Sequence, residues 1–207
     1  MESRGNIYQT LILAAQSHLE EKGYIPEDLD DFAARCSLAA DEILAVFPST
    51  SDLREGLIYQ AVTLLNDALR DGVIHAASDD PLVQLRAIGH AYLKWAEANP
   101  ALFRMLVTAL NGPIEPDSTL HRYTSSMRDL YHRKLAEAQN RGLISSARNI
   151  EVVTMMLHCL VKGGNMMFLT RDTDPWYQGE TRSTRDLAES IFQEFLDSIS
   201  AKPAAAG

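Results

Sequence analysis

The chain has 207 residues, 46% apolar and 23% charged, enough to bury a core and unlike a disordered or fibrous chain. No uninterrupted apolar run approaches the roughly 20 residues of a membrane span. The opening MESRGNIYQT lacks the apolar core of an export signal, so a cytoplasmic protein without membrane attachment is expected. The net charge of −9 is uneven: residues 1–55 carry four basic and eleven acidic side chains, a net of −7.

In chain order, almost every segment predicts helix. From Ile7 to Lys22, apolar Ile7, Leu11, Ala14, Ala15 and Leu19 fall on one helical face, and Gly23 ends the run. Asp28 to Cys36 predicts about two turns around Leu29, Phe32 and Ala33. Ala39 to Val46 predicts another short helix, broken by Pro48 and Ser49. Ser51 is the expected N-cap of the next helix, which runs to about His75. Turn signals at Ser78–Pro81, Asn99–Pro100, Asn111–Pro113, Arg141–Gly142 and Asp172–Thr181 then separate helical runs of 82–98, 101–111, 117–141, 149–171 and 183–200. The tail AKPAAAG is expected to be disordered. The result is an all-α chain of about nine helices with no strand and no internal repeat. Its domains are expected at 1–50 and 51–200, with the tail at 201–207.

Residues 7–53 resemble the N-terminal domain of TetR-family transcriptional regulators. LILAAQSHLEEKGY (Leu11 to Tyr24) is similar to the family's first helix. Leu29, Phe32, Ala33, Leu38, Ile43, Phe47, Pro48, Ser49 and Leu53 then fall on its apolar and turn positions without a gap. YLKWAEANPALFRML (Tyr92 to Leu106) resembles the start of one C-terminal domain type of that family. The resemblance implies an all-helical homodimer in which a helix-turn-helix binds operator DNA and a C-terminal bundle binds a small molecule.

The scaffold positions match, whereas the DNA-facing positions differ. Where the family opens its second helix with a threonine or serine pair, this chain has Glu27 and Asp28. Where the family turns on glycine, it has Ser37. The polar and basic residues of the recognition helix are replaced by Ala39, Ala40, Glu42, Leu44 and Val46, and a lysine of the fourth helix by Thr50. Phosphate contacts supply much of DNA affinity and need cations, amides or hydroxyls. Base reading uses polar or basic side chains on the groove-facing surface. Arg4, Arg35, Ser37, Thr50 and Arg54 are the groups left to carry such contacts. Two readings follow. One is a regulator with weak or atypical DNA contacts. The other is a regulator whose former DNA face, at Asp41, Glu42, Leu44 and Val46, docks on a protein partner.

The second domain is rich in methionine and aromatic residues. Tyr92, Trp95, Phe103, Met105, Tyr123, Met127, Tyr131, Met155 and Met156 are candidate liners of an effector pocket, although each alone also fits an ordinary core. No charged residue stands out as a counter-ion, so an apolar or weakly polar effector is expected. Asn149 to Arg171 is apolar around much of its circumference, with Leu157, Leu160, Val161 and Gly164 on one side. The other apolar side carries Val152, Met155, Met156, Cys159 and Met166. Thr184 to Ser200 carries Leu187, Ile191, Phe195 and Ile199 in a wide stripe. By resemblance, these two helices supply the homodimer interface. Cys36 and Cys159 fit no metal or redox motif and are expected to be free thiols. No metal set, phosphate loop or nucleophile motif points to a cofactor or to an enzyme.

Overall fold

The structure is a computed structural model. It describes residues 4–201, with side chains from Ile7 onward except that of Ala40. Nine α-helices are present among the described residues, with no strand beyond a single bridge between Ile144 and Ser200. They are α1 (Arg4–Lys22), α2 (Leu29–Arg35), α3 (Ala40–Leu44), α4 (Thr50–Ala76), α5 (Pro81–Ala98), α6 (Pro100–Asn111), α7 (Thr119–Asn140), α8 (Ile150–Thr170) and α9 (Thr184–Ile199). The segment 172–181, expected as a turn, also contains one 3₁₀ turn at Pro175–Tyr177. Apart from Ala201, the tail lies outside the described residues.

The helix ends follow local chemistry. Gly23 and Gly142 take φ of +80° and +74° just beyond α1 and α7, a conformation that costs glycine nothing. Asp28 caps α2, its Oδ1 accepting from the backbone N–H of Asp30 at 2.8 Å and of Asp31 at 3.2 Å. The cap of α4 is Ser49, not Ser51. Its hydroxyl donates to Asp52 Oδ2 at 2.6 Å and accepts from the Asp52 N–H at 3.2 Å. A serine with an acid three residues on closes a reciprocal box, which a serine inside the first turn cannot do.

The chain divides into two compact units, Met1–Leu64 with Asn99–Leu120, and Leu65–Ala98 with His121–Gly207. The first buries Leu11, Ile12, Ala15 and Leu19 of α1, Phe32 of α2, Ile43 of α3, Leu53 and Leu57 of α4, and Leu102, Phe103 and Leu106 of α6. These are the period-3.6 faces of each helix. The second has one core of Leu82, Leu85, Leu135, Ala138, Ile144, Val153, Leu157, Phe195, Leu196 and Ile199. A smaller core holds Leu93, Met167, Leu187 and Ala188. Within this unit, Gly72 of α4 lets α5 approach closely: a Cβ there would stand 2.7 Å from Ala91 Cβ and 3.2 Å from the Ala87 carbonyl oxygen.

α8 departs from the sequence expectation. By length and composition it is apolar enough to cross a membrane, because its polar residues are spread along it and leave the average high. Only 28% of its most apolar stretch is buried.

Candidate functional site

Two places in the fold carry the residues singled out by sequence. The first is the helix-turn-helix of α2 and α3. Ser37 makes the turn with φ of +57°, the left-handed conformation for which a glycine is the unstrained choice. The α3 helix is only five residues long. It buries Ile43 and exposes Asp41, Glu42 and Leu44, while Val46 beyond it is half-buried.

The acids here are tied to their own backbone. Glu42 Oε2 accepts from the Ala39 N–H at 2.9 Å, and Asp41 Oδ1 from the Glu42 N–H at 3.1 Å. The orphan amides that a DNA phosphate would use are thus partly taken by carboxylates, which add negative charge at the same point. Of the candidate contact groups, Arg35 and Arg54 are exposed, and Arg35 lies 6.0 Å over the Phe32 ring. Ser37 is exposed, and Thr50 is half-buried at the start of α4. Arg4 is the first residue of α1, and its side chain lies outside the described residues.

The second place is a cavity of about 280 Å³ in the second unit. Its walls are Leu85, Ile88, Gly89, Tyr92 and Leu93 of α5, Tyr131 of α7, six residues of α8 between Leu157 and Asn165 with Met167, and Ala188, Ile191 and Phe192 of α9. Tyr177 of the 3₁₀ turn closes one side. The cavity reaches the surface at the exposed Gly163 and Ile191. Surface contacts hold α5 to α9 beside it, among them Arg86 Nε to Gln193 at 2.6 Å, Arg185 to Glu97 at 2.7 Å and His90 to Glu189 at 3.0 Å.

The polar groups of the cavity sit together. Tyr92 donates its hydroxyl to Asn165 Oδ1 at 2.8 Å. Burial pushes the Tyr92 phenol well above its usual range, and the neighbouring Tyr131 adds to the rise. Burial likewise raises Tyr131. Tyr123, beside both, is raised by burial and then by Tyr92 and Tyr131. All three phenols stay neutral at any physiological pH.

Of the nine expected pocket residues, Tyr92 and Tyr131 line the cavity. Tyr123 and Met127 are half-buried on α7 without lining it, and Trp95 is buried on α5. Phe103 and Met105 belong to the core of the first unit, and Met155 and Met156 are exposed on α8. The expected interface residues also divide. Leu157, Leu160, Val161, Gly164 and Ile191 line the cavity, and Leu157, Leu187, Phe195 and Ile199 are buried in the chain's own cores. The apolar face of α8 left outward is therefore the other one: Val152, Met155, Met156, Cys159, Gly163 and Met166. At about 100° per residue these six fall within one third of the helix circumference. Sequence reading missed Asn165 and Tyr177. An amide amid the apolar α8 was a signal for the first; nothing local marked the second.

Among the described residues, no group of three His, Cys, Asp or Glu is placed to hold a metal. No family model matches the sequence, and no curated protein does. Solved structures match along almost the whole chain. A protein of unknown function from Rhodococcus sp. RHA1 superposes with a TM-score of 0.74 at 17% identity, covering 94% of this chain and 96% of its own. A TetR/AcrR-family transcriptional regulator from Thermobifida fusca YX-ER1 gives 0.68 at 21% identity, covering 92% and 96%. The fatty acid degradation regulator FadR from Bacillus halodurans gives 0.66 at 16% identity, covering 91% and 97%. The TM-scores and the near-complete mutual coverage agree: the chain has the fold of the TetR-family transcriptional regulators.

Proposed function

We infer that this protein is a ligand-responsive, homodimeric transcriptional regulator acting in the cytoplasm. Its input is a small molecule held in the α5–α7–α8–α9 cavity, and its role is regulatory rather than catalytic. The observation that carries this reading is the cavity: a partly enclosed apolar space with a small polar cluster, within a fold shared with transcriptional regulators. The outward face of α8 supports the homodimer. An exposed stripe of Val152, Met155, Met156 and Met166 around Gly163 is the kind of surface that a second copy covers.

The output runs through an acidic helix-turn-helix with weak, atypical DNA contacts. A net charge of −7 over residues 1–55 repels a duplex, and few cations face it. One observation favours a second reading, in which this face meets a protein. The exposed surface of α3 offers Asp41, Glu42 and Leu44, a pattern suited to a basic, partly apolar partner surface rather than to phosphate.

The test is a thermal-shift screen of the full chain against apolar, neutral-polar and charged small molecules, followed by DNA and partner binding with each hit. The reading expects at least one stabilising compound that also changes binding at the helix-turn-helix. A screen in which no stabilising compound alters any such binding overturns it.

A further inference from the structure

The cavity is specific about charge. None of its lining residues is ionisable at neutral pH in the form present: the polar liners are three tyrosines and Asn165. A carboxylate, phosphate or ammonium moved to the inner end of such a space loses hydration and meets no counter-charge, which disfavours it. The phenols offer no anion to hold a cation, because burial keeps Tyr92 and Tyr131 protonated.

The cavity is also specific about the direction of its hydrogen bonds. Asn165 is buried, and its Oδ1 is occupied by the Tyr92 hydroxyl at 2.8 Å. That bond orients the amide so that its NH₂ is left to donate, while Oδ1 keeps one further lone pair. Among the described residues, no hydrogen bond engages that NH₂ or the hydroxyl of Tyr131. Both can donate to an occupant, and a buried donor left unmatched is costly. The space of 280 Å³ corresponds to roughly nine groups at the approximately 30 Å³ that a water occupies in the liquid.

We propose that the cavity selects an uncharged, mainly aliphatic molecule of about this size whose polar group is a carbonyl, as in a ketone, ester or lactone, accepting from Tyr131 and Asn165. This rests on the reading of the cavity as the effector site and adds the ligand's chemical class. Charged relatives of the same length would place their charge beside Tyr131 and Asn165, where no lining residue offers a counter-ion. Pure hydrocarbons fit the walls but leave the two donors unmatched.

Three probes of similar length separate the alternatives: nonan-2-one, nonanoate and butylbenzene, titrated into the full-length protein by ligand-observed NMR. The expected result is binding of nonan-2-one in preference to both others. Tyr131→Phe should weaken the ketone by roughly 2- to 12-fold, the range for one hydrogen bond, without changing butylbenzene. Nonanoate binding as well as the ketone overturns the charge argument, and butylbenzene binding as well overturns the carbonyl argument. Either outcome leaves the cavity as an effector site. Binding of none of the three overturns the proposal together with the effector reading on which it rests.

Discussion

Gly164 gives the most direct handle on the cavity. It lies on α8, lines the cavity, and a Cβ built on it meets nothing within 4 Å. Gly164→Leu therefore places four carbons into open space without moving backbone. Removing a mid-helix glycine contributes about 0.8 kcal/mol. Each carbon beyond Cβ that leaves water adds up to about 0.8 kcal/mol. Because the cavity is partly open, the sum is about 1–3 kcal/mol in favour of folding. At about 2–4 °C per kcal/mol for a chain of this size, the thermal midpoint rises by roughly 2–12 °C. The same side chain takes the ligand's space, so an occupant that stabilises the wild type should no longer do so. Calorimetric melts of both proteins, with and without a stabilising compound, read both effects. A variant that melts lower, or that still responds fully to the compound, refutes the placement of Gly164 on an empty, ligand-binding cavity.

Other consequences are as sharp. Met155 is exposed on the outward face of α8 and does not line the cavity. Met155→Glu should leave the fold intact yet shift sedimentation from the proposed dimer to monomer; an oligomeric state unchanged by it removes this face from the interface. Ser37→Gly relieves a left-handed serine and should stabilise by about 1 kcal/mol, read by urea unfolding, whereas no gain would mean that the turn is not strained. His18 is buried against the edge of Tyr24, and burial first, then Arg35 and Lys22, lower its pKa. The unfolded chain then binds the proton more readily. The contribution of His18 to stability is thus full above about pH 6.5, the ordinary histidine value, and is lost as pH falls below it. His18→Leu should flatten the fall in thermal midpoint between pH 7.5 and 5.5; equal slopes in the two proteins contradict the assignment.

The helices were legible because each announces itself locally. Gly23 and Gly142 stop helices where φ turns positive, and the apolar spacing of α1, α5 and α9 gives the buried faces directly. Ser37 was visible in the sequence as a departure from the family's glycine, whereas its left-handed φ of +57° emerged only from the structure. The cavity was only partly legible. Tyr92 and Tyr131 were anticipated, but composition alone cannot say which side of a helix faces a void. The outward residues of α8 and the inward set around Leu157 are both apolar, and only packing against α5 and α9 assigns them. Phe103 and Met105 illustrate the same limit: they are as apolar as any pocket liner, yet they fill the core of the first unit. The capping roles of Asp28 and Glu42 depended on backbone geometry, although their acidity at those positions was plain in the sequence.

The most direct measurement of the central claim, a regulator fold with a cation-poor helix-turn-helix, is the affinity of the purified protein for a duplex from upstream of its own gene across a salt series. The candidate cations are Arg4, Arg35 and Arg54, six in the proposed dimer, which limits the slope of log K against log salt to about −5 even if all six neutralise phosphates. The account predicts weak binding with a slope no steeper than that. Tight binding with a slope near −10 would contradict it and would require a phosphate-binding surface elsewhere on the protein.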